Sequence, residues 1–526
     1  MKKLLYAFFA LAVAPFCGCS DDDEEPAAVS QPAYAEIDLT TTQFVFPADG
    51  GTRTVLVAAN YEWSYECDYE WLTVTRSGDE LTISADANKT SGKRIAAVSV
   101  KAGETGNTAR TDIRIAQPLT SVDLAAAGTA NCYVASTGTS YKFPAKVKGN
   151  GAGDGNSTYI QHFGVEIEGA SYADLLWEAT FDADKTRSCE IIDDYPIYDD
   201  GYVYFSTGSE EGNAVIAVRS AAGEILWSWH IWVTDTEISD KTDDNGHRWM
   251  DRNLGALNNQ PGDISNRGML YQWGRKDPFL PSMAAYIEMP VQQEGQSDAD
   301  YNAAYDEAFA AANVLNMQTG NGSEAWGYLD KTMNIVMKAP GNIDYAVRHP
   351  TWFLSQPAHV LGDTACDWYL TNEYQNDGFY EQWKSMLWGD VEASATGYKS
   401  IFDPCPAGYV VPGPDTYAVG FDPSKIAVNI SDDWDEGLLG YNWKSCGNAY
   451  YPCTGMLYLS GQPVHSGQYL LYWTAQPHYT YLSGAACCLF TTGSAVAYGV
   501  EYTPYIYDMY GFGARAYGAS VRCIKE

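Results

Sequence analysis

The sequence predicts a multidomain, β-rich chain: two sandwich domains followed by a larger third block. Three observations predict it. The chain has 526 residues, enough at roughly 150 residues per domain for about three to four domains. Strand-like alternation fills residues 37–117 and returns from 131 to 233. Aromatic residues make up 14%, with 39 Tyr and 16 Trp beside 48 Gly, a mixture that suits sheets joined by many turns. Hydrophobic residues at 46% against charged residues at 19% give a globular composition. Asp and Glu number 67 and Lys and Arg 32, a net charge of −35. Such a surface repels a phosphate backbone and anionic lipid, so nucleic-acid binding and electrostatic membrane docking are excluded.

Residues 1–18 read as a signal peptide. Lys2 and Lys3 precede a short apolar stretch, Leu4 to Pro15, too short for a mature span. It ends in Phe16-Cys17-Gly18-Cys19, which resembles a bacterial lipobox with Cys19 as the lipidated residue; bulky Phe16 disfavours Cys17. The acidic run Ser20 to Glu25 resembles the surface-export signal of Bacteroidetes lipoproteins. Residues 19–35, ending Pro/Ala/Ser-rich, form a tether. The implied location is lipid-anchored in the outer membrane and exposed on the cell surface.

Residues 36–118 read as the first sandwich. Phe44-Val45-Phe46 leads into a Gly50-Gly51 turn, and in the next strand Val55 and Val57 share one face while Leu56 takes the other. Strands follow at Leu81 to Ile83, Ala96 to Val100 and Asp112 to Ile115. The succession Phe46 to Thr52, Asn60-Tyr61-Glu62-Trp63, Trp71-Leu72-Thr73-Val74, Asn88, Arg94 and Ile115-Ala116-Gln117 resembles the BACON domain, a small immunoglobulin-like sandwich. That resemblance implies either carbohydrate binding or a spacer role. The strand pattern assigns Trp63 and Trp71 to the core rather than to a sugar platform.

Residues 119–236 read as a second sandwich. Strands are expected at Asn131 to Val134, Tyr141 to Pro144, Leu175 to Glu178 and Tyr202 to Phe205. Gly212 to Val218 then forms a buried strand, and Ile225 to Val233 a Trp-rich one. The run Gly149 to Gly155 lacks the Lys-Ser/Thr of a phosphate loop and reads as a plain loop. His230, between Trp229 and Ile231, reads as a satisfied core histidine.

Residues 237–526 read as the third block, with an insertion at about 280–400. Trp249 to Gly255, Gly268 to Arg275, Asp403 to Pro412, Tyr472-Trp473-Thr474 and Ala519 to Cys523 together resemble the Fibrobacter succinogenes major paralogous domain, with Tyr409 standing where that family usually has Trp. The resemblance implies a C-type lectin-like fold, so the predicted fold class is two N-terminal all-β immunoglobulin-like sandwiches followed by an α+β, loop-rich C-type lectin-like domain. Within the insertion a helix is expected from Ala299 to Leu315, capped by Ser297 or Asp298.

Of twelve Cys, ten remain once Cys17 and Cys19 are set aside; none forms a CxxC, so no structural zinc site is expected. Spacing leaves their pairing open, but the lectin-like resemblance implies a disulfide between Cys405 and Cys523. Lectin calcium motifs are echoed only faintly, at Gln260 to Asp263 and Gly413 to Asp415, so no cofactor is expected and calcium has no intact motif behind it.

No HExxH, GxSxG, Walker or DxDxDG sequence is present. The favoured function is a non-enzymatic, glycan- or host-binding adhesin at the cell surface, with a fimbrial tip or accessory subunit as a subtype; the alternative is a glycan-acting enzyme with its active site in the third block. Partners would be glycans or surface proteins of host or bacteria. Framework landmarks (Trp249, Leu254, Tyr271, Trp273, Cys405, Pro412, Trp473 and Cys523) should be structural. Ligand contact is expected from rings in the variable segments: Trp352, Trp368, Trp383 and Trp388 in the insertion (with Tyr369), and Tyr441, Trp443, Tyr450 and Tyr451 after it. At least two of them should line one exposed concave patch.

Anchoring has a direct test. Cys19→Ala should release the protein from membranes. Neutralising Asp21 to Glu25 should leave it lipidated but closed to external protease; unchanged shaving of intact cells would refute the export signal.

Overall fold

The computed structural model describes residues 34–151, 164–181, 189–243, 245–261, 263–281, 295–297, 299–300, 316–319, 332–334, 339–355, 368, 387–389, 399–413, 416, 426–427, 440–443, 449–458, 461, 463–464, 469–477, 485–492 and 512–526. The described chain is mostly β-sheet, with one α-helix, Ala339–Arg348. Cys19, the acidic run and most of the helix expected at Ala299 to Leu315 lie outside these residues. At that helix's start, the Asp300 N–H donates to Ser297 Oγ at 3.1 Å, the bond expected of a capping serine.

The first sandwich packs two four-stranded sheets. One orders Ile37–Leu39, Gly51–Ala59, Glu80–Ala85 and Leu72–Ser77; the other orders Gln43–Val45, Asn107–Gln117, Arg94–Glu104 and Trp63–Glu66. Strand alternation decides the core: Val55 and Val57 point in and meet Leu81, Ile83, Val98 and Ile113, while Leu56 stays exposed. Trp63 is a core ring, closed over by the Arg76 guanidinium 3.6 Å from its centroid. Trp71 is only half-buried and carries Arg94 at 4.5 Å. The landmark polar residues have a mechanical role. Gln117 is fully buried; its Nε2 donates to the carbonyls of Pro47 and Asp86, and its Oε1 accepts from Arg94 Nε at 2.9 Å. Gly50, at φ +85°, has no room for a side chain, because a Cβ would lie 2.3 Å from the Ala85 carbonyl.

The second sandwich pairs a five-stranded sheet with a four-stranded one. The larger orders Cys132–Ala135, Ile225–Val233, Gly212–Ser220, Ala170–Thr180 and Asn316–Thr319; the smaller orders Ile197–Asp199, Tyr202–Ser206, Ser140–Pro144 and Val122–Asp123. Asn316–Thr319 comes from the insertion and adds to the edge of Ala170–Thr180, a pairing no local sequence signal announced. The strand Ile225–Val233 is buried on both faces. Trp229 packs on Phe143 of the opposite sheet at 5.0 Å, and His230 turns toward the third block.

In the third block Arg248–Met250 pairs with both Asp240–Thr242 and Ile524–Lys525, and the latter pairs with Tyr409–Val410. A second sheet runs through Pro463–Val464, Met456–Leu457, Gly518–Ser520, Tyr469–Pro477, Ala485–Thr492 and Phe512–Ala514, with Leu270–Gln272 against Gly518–Ser520. The disulfide joins Cys405 to Cys523, as the family resemblance implied. One continuous apolar cluster runs from Phe143 and Trp229 of the second sandwich to Trp273 and Trp473 of the third block. The two therefore share a core.

Burial leaves one carboxyl well outside its ordinary range. Glu178, in the strand Ala170–Thr180, is 3% exposed, accepts the Ile192 N–H at 2.8 Å, and is pushed up to about 7 by desolvation. The folded chain thus holds a proton that the unfolded chain releases near its ordinary value of 4.5. Stability falls as pH rises from about 4.5 to about 7, by roughly 3 kcal/mol at most. Glu178→Gln, which keeps the acceptor, should flatten that fall and raise the melting temperature at pH 8 by a few degrees while changing it little at pH 4. Parallel pH slopes for the two proteins would refute the assignment.

Candidate functional site

Four of the eight rings expected to bind ligand in the third block are interior. Trp368 and Trp388 are 1% and 0% exposed, and Tyr450 and Tyr451 are 7% and 0% exposed. The expectation of an exposed patch is corrected for these four: hydrogen bonds hold the two indoles inside, and ring contacts hold Tyr451. Trp368 Nε1 donates to the Trp273 carbonyl at 2.9 Å and Trp388 Nε1 to the Arg275 carbonyl at 3.1 Å. Tyr451 lies under the Arg522 guanidinium at 4.1 Å and edge-on to Tyr472 at 5.4 Å, and the Tyr450 carbonyl accepts from Arg522 Nη2 at 2.8 Å. Trp352 is half-buried in a small aromatic group with Tyr345 and His349, at 6.0 and 5.0 Å. Tyr441 and Trp443 lie in the strand Gly440–Trp443, opposite Tyr451 and Ala449, with their side chains outside the described set. Trp383 and Tyr369 lie outside the described residues. The framework landmarks, from Trp249 to Cys523, are all buried.

His230 is likewise structural. Asn213 Nδ2 donates to the Gly255 carbonyl, which turns Asn213 Oδ1 toward His230 Nε2 at 2.8 Å. Nε2 must then carry the hydrogen, leaving Nδ1 to accept from the Tyr271 hydroxyl at 3.0 Å. Full burial drives its pKa down to about 3, so the imidazole is neutral. Beside it, Ser228 Oγ donates to Asp277 Oδ1 at 2.6 Å, and Lys276 Nζ reaches the same carboxylate at 2.6 Å. A Ser, Lys and Asp in contact resemble a catalytic group by composition, but all three are at most 4% exposed, and they seal the second sandwich to the third block.

A concave, solvent-facing site occurs instead where the first two sandwiches meet. It begins with a tight hairpin. Asp200 and Gly201 both adopt positive φ, 47° and 84°, the conformation a two-residue turn needs to join Ile197–Asp199 to Tyr202–Ser206. With period 2, Ile197, Asp199, Tyr202, Tyr204 and Ser206 share the sheet's outer face. The first sandwich covers one end of that face. Asp199 Oδ2 accepts the Val45 N–H at 3.1 Å and Arg53 Nη2 at 2.9 Å. Gln43, 3% exposed, donates Nε2 to the Ala173 carbonyl and accepts the N–H groups of Ala173 and Tyr198 on Oε1, at 2.9 to 3.0 Å.

The uncovered remainder is a shallow, half-open cleft with enclosed room for little more than a water molecule. Tyr204 and Tyr195 line it, with Lys93, Asp194 and Ser121 among the polar residues. Tyr195 is 52% exposed, with the Arg114 guanidinium 4.0 Å from its ring centroid. Lys93 Nζ lies 2.7 Å from both Asp193 and Asp194. Burial raises the Asp194 pKa even though Lys93 opposes the shift. Tyr202 continues the aromatic surface 6.3 Å from Tyr204, with Lys142 Nζ 5.0 Å from its ring. The alternation Tyr202-Val203-Tyr204-Phe205 after Asp200-Gly201 was a readable signal for this hairpin; its neighbour across the junction was not. Among the described residues, no cluster of three or more His, Cys, Asp or Glu could hold a metal ion, and no helix is long and apolar enough to cross a membrane.

A family model described as "BACON: Putative binding domain, N-terminal" matches residues 61–117. The match supports a BACON domain in the first sandwich. A comparison with curated proteins finds no match. Among solved structures, the chain is similar to a Bacteroides ovatus GH5 xyloglucanase in complex with a XXXG heptasaccharide, at 24% identity over 18% of this chain and 21% of that one, with a TM-score of 0.15. It is also similar to a protein from Bacteroides thetaiotaomicron solved by NMR, at 21% identity over 20% of this chain and 98% of that one, with a TM-score of 0.13. A chimeric titin Z1Z2 is similar at 10% identity over 39% and 100%, with a TM-score of 0.14. The chain thus spans about a fifth of the xyloglucanase's length.

If Trp388 is a core donor, Trp388→Ala should cost about 3–5 kcal/mol and lower the melting temperature seen by calorimetry. A variant with unchanged melting would return this ring to the ligand surface.

Proposed function

We propose that this chain is a non-enzymatic, glycan-binding lipoprotein, held on the cell surface by lipid at Cys19 and carrying a third block of lectin-like type. The observation that carries the reading is the tyrosine-lined cleft beside a sandwich that matches a binding family. Tyrosine rings offer flat apolar faces to sugar C–H groups, and the Lys93–Asp194 pair offers a donor and an acceptor to hydroxyls. The resemblance of the third block to a non-catalytic family supports the same reading, and so do the exported, acidic character of the sequence and its lack of hydrolase motifs. The sandwiches would lift the third block away from the membrane.

The full-length protein in detergent, applied to an array of plant, bacterial and host glycans, should retain specific glycans and leave them intact when the eluted material is analysed. Shortened products would place the chain among glycan-acting enzymes; binding to no glycan would overturn the proposal.

A further inference from the structure

We infer that the first sandwich is a load-bearing link: a pull between the N-terminus and the third block shears its closing strand pair and does not peel it. This goes beyond glycan binding. It rests on the anchoring half of the reading above, since tension arises only in a chain held at one end that grips something further on.

Three observations carry it. The first is register. Gln43–Val45 runs parallel to Asn107–Gln117, with Gln43 opposite Arg114, Phe44 opposite Ile115 and Val45 opposite Ala116. Two bonds extend the pair: the Arg114 N–H donates to the Thr42 carbonyl at 2.8 Å, and the Phe46 N–H to the Ala116 carbonyl at 2.9 Å. An early strand is thus paired in parallel with the last strand of its domain. The second sandwich repeats the arrangement, with Cys132–Ala135 parallel to Ile225–Val233.

The second is where the chain enters and leaves. Asn107 Oδ1 accepts the Ala35 N–H at 2.9 Å, so the chain enters beside the start of Asn107–Gln117 and leaves past its end. The two pulls therefore act at opposite ends of one strand and along its length. In the parallel pair they draw Gln43–Val45 and its partner past each other, and every bond between them is loaded together. An antiparallel pair of early and last strands would open from one end, one bond at a time. Forced unfolding follows the height of the unfolding barrier, and bonds broken together add their resistance where bonds broken in turn do not.

The third is what lies on the other edge of the loaded strand. Gln43–Val45 is an edge strand of its sheet, and the second sandwich covers that edge. The Val45 N–H donates to Asp199 Oδ2 at 3.1 Å, and the Gln43 amide bonds the backbone of Ala173 and Tyr198 at 2.9 to 3.0 Å. Load that reaches this strand passes into the second sandwich directly, beside the path through the residues after Gln117.

The test is single-molecule pulling of the full-length protein in two geometries. Handles at residue 19 and Glu526 load the pair in shear. Handles at residue 19 and Thr105, in the exposed turn just before Asn107–Gln117, pull both strands from the same end and peel them apart, with no core residue changed. Unfolding of the first sandwich is recognised by the length of chain it releases. The inference expects it to yield at a force on the order of twofold or more higher in the end-to-end geometry at the same pulling speed. Equal forces, or a lower force end to end, would overturn the inference and leave glycan binding and anchoring standing. Anchoring is decided separately by whether Cys19→Ala leaves the membrane. Unequal forces in a protein that this variant does not release would keep the strand geometry and overturn its role as a link under load.

Discussion

The interior of the third block depends on one constraint: buried backbone carbonyls in its loops and short strands must find donors. Long side chains supply them. Arg275 donates to the carbonyls of His349, Pro350 and Trp352, and Arg522 to those of Met250 and Tyr450. Lys399 Nζ is enclosed by the carbonyls of Cys405, Pro406 and Tyr409. Indole groups do the same, with Trp273 bonding Thr474 and Trp473 bonding Tyr271. An unpaired buried carbonyl costs about 1–3 kcal/mol, so each of these side chains is held inside by a need that hydropathy does not express. Burial opposes the charge on the cations, lowering Arg275 to about 10 and shifting Lys399 in the same direction. The dense carbonyl contacts offset that penalty.

The same accounting explains how the sandwiches are joined. Gln43 sits in a short strand of the first sandwich, yet its amide bonds the backbone of the second in both directions, as another strand would. One buried amide replaces three groups' hydrogen bonds to water and fixes the distance between the domains. His230, Asn213 and Tyr271 form a comparable chain between the second sandwich and the third block, with every polar atom in it matched.

Period-2 alternation made the first sandwich legible almost strand by strand, and the polar landmarks Asn88, Arg94 and Gln117 prove to clasp the ends of its strands. The pairing of Cys405 with Cys523 followed from a family resemblance and not from spacing. Trp368 and Trp388 were misread because aromatic rings in a long, irregular insertion look like surface material. What places them inside is the carbonyls of Trp273 and Arg275, about a hundred residues away in sequence. The junction cleft was legible by halves. The Asp200-Gly201 hairpin and its alternating tyrosines stand in the sequence, but Lys93 comes from another domain, and no local pattern records that meeting. Asn316–Thr319 was hidden for the same reason, since its partner strand begins at Ala170.

The pairing of Ile524–Lys525 with Arg248–Met250 and Tyr409–Val410 sets an order of assembly. Every strand of the first sandwich finds its neighbours within residues 37–117, so this domain can form as soon as that stretch has been synthesised. The sheet begun at Asp240 has to wait for residue 524, a closure across more than half the chain that is slow by nature. Until then the strand Ile225–Val233 has one apolar face without its cover. A newly made chain would pass through a state with a finished first domain and an open, sticky second one, the interval in which chaperones would act on it.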